Sequence, residues 1–187
     1  MISKASIRKV CEDYPFLLPR DIDGSIDENF EYDSLRLEIP NGWIRLFLQM
    51  CSDIKLILKR EGVLDDFYFI QVKEKYGRMR CYSNGVASHR VEEIISKYEY
   101  MSEYVCTYCG RIATCKTKAY GVPICNDCWK DYWRHEPVDW INPTKLYFEI
   151  SSSTEGVHFD TKYISFANEW YRYALDIGIP YVANKGG

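Results

Sequence analysis

Cys106 and Cys109, then Cys125 and Cys128, form two C-x2-C pairs separated by fifteen residues. Each pair bends its backbone so that two sulfurs converge. Two pairs at this separation can close a tetrahedron around one zinc ion. The plain alternative is four free or disulfide-paired cysteines. A redox C-x2-C usually stands singly inside a βαβ pattern, and nothing of that kind surrounds these. With four thiolates as ligands no position remains to activate water, so the spacing predicts a structural ion. Its binding energy is then folding energy for the segment around it. Cys115, near the tip of the intervening loop, reads as a spectator thiol, and His135 as a surface histidine, because the ligand set is already full.

A chain of 187 residues is enough for one domain, or for one domain with an appendage. Its 47% hydrophobic and 16% aromatic content predicts a packed core rather than disorder. The sixteen tyrosines pair apolar bodies with polar tips, which suits the edge of a core or a binding face. A net charge of −3 argues against a wholly basic nucleic-acid binder. There is no run of about eighteen apolar residues and no charged-then-apolar N-terminus. We therefore expect no membrane association and a reducing, cytoplasmic setting. The charge is uneven: Asp21, Asp23, Asp27, Glu28, Glu31 and Asp33 crowd the N-terminal part, whereas the stretch from Lys73 to Lys118 is basic.

The element pattern predicts an α+β fold, in which a small antiparallel sheet packs with helices beside a four-cysteine knuckle of treble-clef or zinc-ribbon type. A short helix over 2–18 ends near Pro15, and residues 19–40 are polar and turn-rich. Asn41 reads as an N-cap, and Trp43, Phe47, Met50, Ile54 and Ile57 recur at helical spacing before Gly62 stops the run. Residues 67–73 read as a strand, 74–77 as a turn and 78–82 as the returning strand. Alternation places Phe67, Phe69, Gln71 and Lys73 on one face, and Tyr68, Ile70 and Val72 on the other. Ser88 can cap a helix striped by Val91, Ile94, Ile95, Tyr98 and Met101. Trp129 and Trp133 predict a short helix against the knuckle. Pro137, Trp140 and Pro143 mark a junction, followed by a strand over 145–150 and a helix over 160–177. The expected divisions are an acidic arm at 1–40, an α+β core at 41–105, a zinc knuckle at 106–136 and a docking extension at 137–187.

Three pieces of the chain carry a family resemblance: Asn41-Gly-Trp43, the stretch from Gln71 to Tyr82 with its Lys-Glu-Lys-Tyr-Gly turn, and the segment from Cys106 to Cys128. Together they resemble a widespread group of small phage and prophage proteins with a GW helix, a QVKEKFG-x-LRFY hairpin and a CxxCG…LCxxC knuckle. The resemblance covers residues 41–130 and departs from the pattern at Tyr76, Met79 and Cys81. It implies zinc binding, a mobile-element origin and hence a bacterial cytoplasm. It implies no particular activity.

The hairpin is the second candidate site. Lys73, Lys75, Arg78 and Arg80 beside Tyr76, with Lys116 and Lys118 from the knuckle, can grip phosphates and stack a base. A solvated hairpin tip, with Glu74 paired to its neighbours, is the alternative. Catalytic patterns are missing: no nucleophile elbow, phosphate loop or zincin helix is present. His89, His135 and His158 are scattered, Glu92 and Glu93 read as a solvated helix face, and Cys11, Cys51 and Cys81 as buried thiols. We therefore expect a protein that is not an enzyme. The leading expectation is a zinc-containing phage or mobile-element protein that binds and inhibits host nucleic-acid-handling or defence machinery, as an anti-CRISPR does. The acidic arm can also serve such a role by mimicking nucleic acid. The alternatives are a direct DNA- or RNA-binding zinc module, and a sponge that sequesters a nucleotide signal.

Overall fold

The computed structural model describes residues 4–21, 23–27, 30 and 37–141. Glu28, Glu31 and Asp33 of the acidic arm, the strand expected at 145–150, the helix expected at 160–177 and His158 lie outside these residues. The chain runs through α1 (Lys4–Asp13), a 3-10 turn at Pro15–Leu17, a second at Asn41–Trp43, and α2 (Ile44–Glu61). There follow β1 (Phe69–Lys75), β2 (Arg78–Ser83), α3 (His89–Ser102), β3 (Cys115–Thr117), β4 (Pro123–Ile124), α4 (Asn126–Tyr132) and β5 (Val138–Trp140). The fold is α+β, with two small antiparallel sheets ordered β1-β2 and β4-β3-β5. β5, pairing on β3, occupies the stretch that the sequence marks only as a junction.

The main core forms where α2 and α3 pack on the inner face of the β1-β2 hairpin. Leu46, Phe47, Met50, Ile54 and Leu58 of α2 are fully buried, and Val91, Ile95, Tyr98 and Met101 of α3 close over them. Each side chain of this kind contributes roughly 1.5–3 kcal/mol on burial. Tyr98 brings a polar tip into this layer, and its hydroxyl donates to Asp53 Oδ2 at 2.7 Å. Phe16 and Leu17 of the first 3-10 turn seal one end, with Phe16 edge-on to Phe67 and Phe69. Gly62 ends α2 in the left-handed conformation, as its position after the apolar stripe predicts. Asn41 does not cap α2: it opens the 3-10 turn, and Trp43 occupies the position before the helix.

The expected alternation along β1 fails at one place. Phe69 pairs with Ser83 and Gln71 with Tyr82, so Ile70 has no partner and the register shifts there. Such a bulge inverts the side-chain parity beyond it. Ile70 therefore points outward and is 67% exposed, while Val72 faces the core with Met79 from β2. Gln71, Lys73 and Lys75 then share the outer face with their partners Tyr82, Arg80 and Arg78. The arm before α2 folds back on this hairpin, since Glu38 N donates to Val72 O and Glu74 N to Glu38 O.

Gly42 sets the distance between the core and the cysteine-bearing segment. A Cβ placed there would lie 2.2 Å from Cys106 O and 2.7 Å from Thr107 O. Its N–H donates to Thr107 O at 2.9 Å, and the indole Nε1 of the fully buried Trp43 donates to Val105 O at 2.8 Å. Gly42→Ala is therefore expected to destabilise the fold by about 3 kcal/mol or more, because backbone on both sides must separate. Gly62→Ala, which meets nothing within 4 Å but keeps a left-handed backbone, should cost only about 1–2 kcal/mol. Urea unfolding midpoints of the two variants check the ordering, and equal midpoints would contradict it.

Candidate metal centre and hairpin surface

The first C-x2-C sits in a tight turn between α3 and β3. Cys106 N donates to Arg111 O and Gly110 N to Cys106 O, which folds Cys106 and Cys109 toward one point. The second pair follows the β3-β4 hairpin: Cys125 is the N-cap of α4, and its sulfur accepts from Cys128 N at 3.5 Å. Knuckle, hairpin and helix in that order, with the last two ligands in the first helical turn, give the treble-clef arrangement. The four Sγ atoms lie within 4.8 Å of one another, with Cys109 and Cys125 at 3.6 Å. A tetrahedral ion bound to sulfur at about 2.3 Å separates its ligands by about 3.8 Å. The cluster therefore fits one metal ion with four thiolate ligands. Burial pushes the Cys106 and Cys128 thiols upward. At Cys109 the same burial effect is outweighed by hydrogen bonds from Arg111 and the neighbouring cysteines, and its pKa falls to about 7.

Cys115 and His135 lie outside the cluster. Cys115 is buried on β3, with its sulfur 3.4 Å from Ile124 O. Cys11 and Cys51 are buried and Cys81 half-buried, and burial raises all three thiols. Around the centre, Tyr108 stacks on Tyr132 with ring centroids 5.1 Å apart, and the Trp133 indole donates to the Tyr108 hydroxyl.

The basic residues of the hairpin are gathered on one side, and the two arginines among them are answered by Glu99 of α3 and by Glu103 at that helix's C-cap. Arg78 lies 3.8 Å from Glu99 and 3.4 Å from Glu103, and Arg80 lies 3.3 Å from Glu99. Lys116 reaches Glu103 at 2.9 Å, and Lys118 pairs with Asp139 at 3.6 Å. Glu99 also accepts from Cys81 N at 2.8 Å, so its carboxylate closes the edge of β2 as well. Lys73 donates to Gln71 and lies 5.3 Å over the Tyr82 ring; Lys75 lies 5.6 Å over that of Tyr76. Glu99 and Glu103 are the residues that sequence reasoning missed. Their spacing of four, in the last turn of α3 and at its C-cap, opposite a strand carrying two arginines, is the signal that could have found them. Within α3, Glu93 lies 3.2 Å from His89 one turn before it, while Glu92 is exposed.

At the turn, Tyr76 and Gly77 both have positive φ, +54° and +74°, as a two-residue type I′ hairpin requires. Gly77 also abuts the knuckle. A Cβ there would stand 2.0 Å from Gly121 O, so the tips of the β1-β2 and β3-β4 hairpins meet backbone to backbone. Tyr76 and Tyr120, the residues before these glycines, are 76% and 68% exposed. The adjoining hollow of about 500 Å³ is lined by Lys75, Tyr76, Arg80, Tyr82 and Glu99. Among the described residues no helix is long and apolar enough to cross a membrane.

Comparison of the chain with known protein families, with curated proteins and with solved structures found no match.

The ion pairs make the hairpin arginines structural as well as superficial. Glu99 is 13% exposed at its side chain and Arg78 26%. Arg78→Glu with Arg80→Glu places like charges beside a half-buried carboxylate that also holds Cys81 N. We expect a loss of about 1–3 kcal/mol in folding stability, measured by denaturant titration. Reversal of the exposed Lys75 should change stability by less than about 0.5 kcal/mol. An unchanged midpoint for the double arginine reversal would show that the network contributes nothing.

Proposed function

We propose that this chain is a non-enzymatic, zinc-stapled binding protein of a phage or mobile element. In this reading it engages a host protein of the nucleic-acid-handling or defence machinery and inhibits it, as an anti-CRISPR-like counter-defence factor does. The observation that carries binding over catalysis is the closed ligand set. Four sulfurs within 4.8 Å of one another can close a tetrahedron, and an ion held so has no position for a substrate or water. Zinc is the ion best suited to four thiolates in this geometry, and it brings no redox chemistry of its own. The phage origin rests on the resemblance of the GW turn, the hairpin and the knuckle, and the counter-defence role on a small, tyrosine-rich chain of that origin in which no catalytic pattern is found.

A protein partner is favoured over a polyanion by the state of the basic residues. Arg78, Arg80, Lys116 and Lys118 already face carboxylates, and a phosphate backbone would have to displace them. The exposed tyrosine at the hairpin tip points the same way. A non-glycine residue at positive φ costs about 1–2 kcal/mol, and Asn would suit the turn better. Tyr76 is nonetheless 76% exposed, so its ring gives the fold little in return. Strained, exposed aromatics of this kind serve as contact residues. Direct nucleic-acid binding is the second reading, favoured by Lys73 and Lys75 beside Tyr82 and Tyr76 on one face.

The first test is metal analysis of chelator-free protein. One zinc per chain is expected, lost in Cys109→Ser or Cys128→Ser and on acidification, because protons compete for thiolates. Absence of zinc would overturn the staple. The second test is affinity capture from a bacterial lysate with and without nuclease, repeated with Tyr76→Asn. This variant should unfold at equal or higher denaturant, by up to about 1 kcal/mol, yet lose the captured protein. Capture that vanishes with nuclease, together with steeply salt-dependent binding of an oligonucleotide, would replace the first reading by the second. Undiminished capture by Tyr76→Asn would remove the hairpin tip from the contact surface.

A further inference from the structure

The thiolate cluster has one open side. Cys106, Cys125 and Cys128 are buried, whereas Cys109 is exposed, so a chelator or an electrophile meets Cys109 first. Arg111 covers that side. Its Nε donates to Cys109 Sγ at 3.4 Å, while Nη1 of the same guanidinium lies 2.9 Å from Asp127 Oδ2. Asp127 stands between Cys125 and Cys128 in the first turn of α4, so one planar group joins the two halves of the ligand set.

We propose that Arg111 is a positioning residue of the metal centre, which holds the Cys109 thiolate on the ion and sets how fast that ligand is lost. The inference rests on the metal reading above. A divalent ion with four thiolates carries about two net negative charges, and a cation on one sulfur offsets part of that excess. A hydrogen bond to the sulfur also draws electron density from it, and a less electron-rich thiolate is a poorer nucleophile. The fork geometry matters because one side chain must reach sulfur and carboxylate together. Lysine, a single point charge, can serve only one of them well. The backbone fixes Arg111 in place: Arg111 O accepts from Cys106 N at 2.7 Å, which seats the residue directly above the first ligand pair.

The test uses the full chain loaded with zinc and, separately, with cobalt(II). Iodoacetamide forms a sulfur–carbon bond and releases iodide, so alkylation reports each thiolate by peptide mass spectrometry without any change of oxidation state. In Arg111→Gln, Cys109 should be alkylated and zinc passed to a chromogenic chelator about three- to tenfold faster than in the parent chain. The sulfur-to-cobalt charge-transfer band should move to lower energy, a change that general loosening of the fold would not produce. Arg111→Lys should recover part of both effects. Asp127→Asn, which leaves the Nε–sulfur contact but cuts the tether, should show a smaller acceleration, and it carries the test should Arg111→Gln lose cooperative unfolding. Full zinc occupancy with unchanged kinetics and an unchanged cobalt band would overturn this inference alone. First alkylation at Cys106, Cys125 or Cys128 would also overturn it. A parent chain without zinc would overturn the metal reading and this inference together.

Discussion

The contact on which the rest of the structure depends is the seat of Gly42 against the backbone of Cys106 and Thr107. A side chain there would lie 2.2 Å from a carbonyl oxygen, so only glycine lets the two segments meet. Trp43, the next residue, converts that approach into a buried hydrogen bond to Val105 O and begins the apolar layer of α2. The cysteine segment is therefore no separate appendage. It is joined to the core at the start of α2, again where Gly77 meets Gly121, and by the Lys116–Glu103 pair to α3. A metal that orders this segment orders the floor on which α2 begins and on which the hairpin tip rests. Binding of an ion there would be linked to the folding of the main core and not of the knuckle alone.

The same geometry changes the meaning of the hairpin charges. In an isolated hairpin, four basic side chains around a turn would form a positive patch. Here α3 runs alongside β2 and places Glu99 and Glu103 within reach of Arg78, Arg80 and Lys116. Partial burial makes each pair stronger than an exposed one, but also makes each charge costly to strip of its partner. A ligand that competed for those arginines would have to meet that cost. The outer surface instead offers aromatic rings flanked by single lysines at Tyr76 and Tyr82. This combination is what the protein-partner reading proposed above rests on, since aromatic groups contribute most at protein surfaces and peripheral charge tunes association.

How much of this was legible follows from the range of each interaction. The convergence of the four cysteines was readable, because their spacing is local and all four positions come together as the sequence implies. The α2 and α3 core faces were readable from period alone, with Leu46, Cys51 and Leu58 joining the residues named. The parity of β1 was not, because the bulge at Ile70 depends on pairing with β2 and leaves no mark in the strand's own composition. The short strand β5 was missed because three residues give no periodic signal, and its existence depends on the open edge of β3. The charge network was missed for a further reason. Basic and acidic residues were each read along the chain, whereas their pairing is decided by which helix face lies beside which strand.

The three motifs of the resemblance acquire a common physical cause in this arrangement. The GW turn supplies the glycine that admits Cys106 and the indole that grips Val105. The hairpin supplies the glycine that admits Gly121. The knuckle supplies the facing backbone in both contacts. Each glycine is explained by a contact in another motif rather than by its own turn alone. Gly77 in fact satisfies two demands at once, the left-handed backbone of the hairpin and the close approach of the knuckle. Tyr76 satisfies only the first, and satisfies it poorly for a residue with a Cβ. Packing therefore explains the glycine of the Tyr-Gly turn and leaves the tyrosine unexplained. With the backbone beside Tyr76 held by the contact of Gly77 with Gly121, a partner closing over the ring would have side-chain rotamers rather than backbone to order. The knuckle thus holds the backbone of the hairpin tip as a rigid scaffold holds a loop, and leaves the Tyr76 ring exposed.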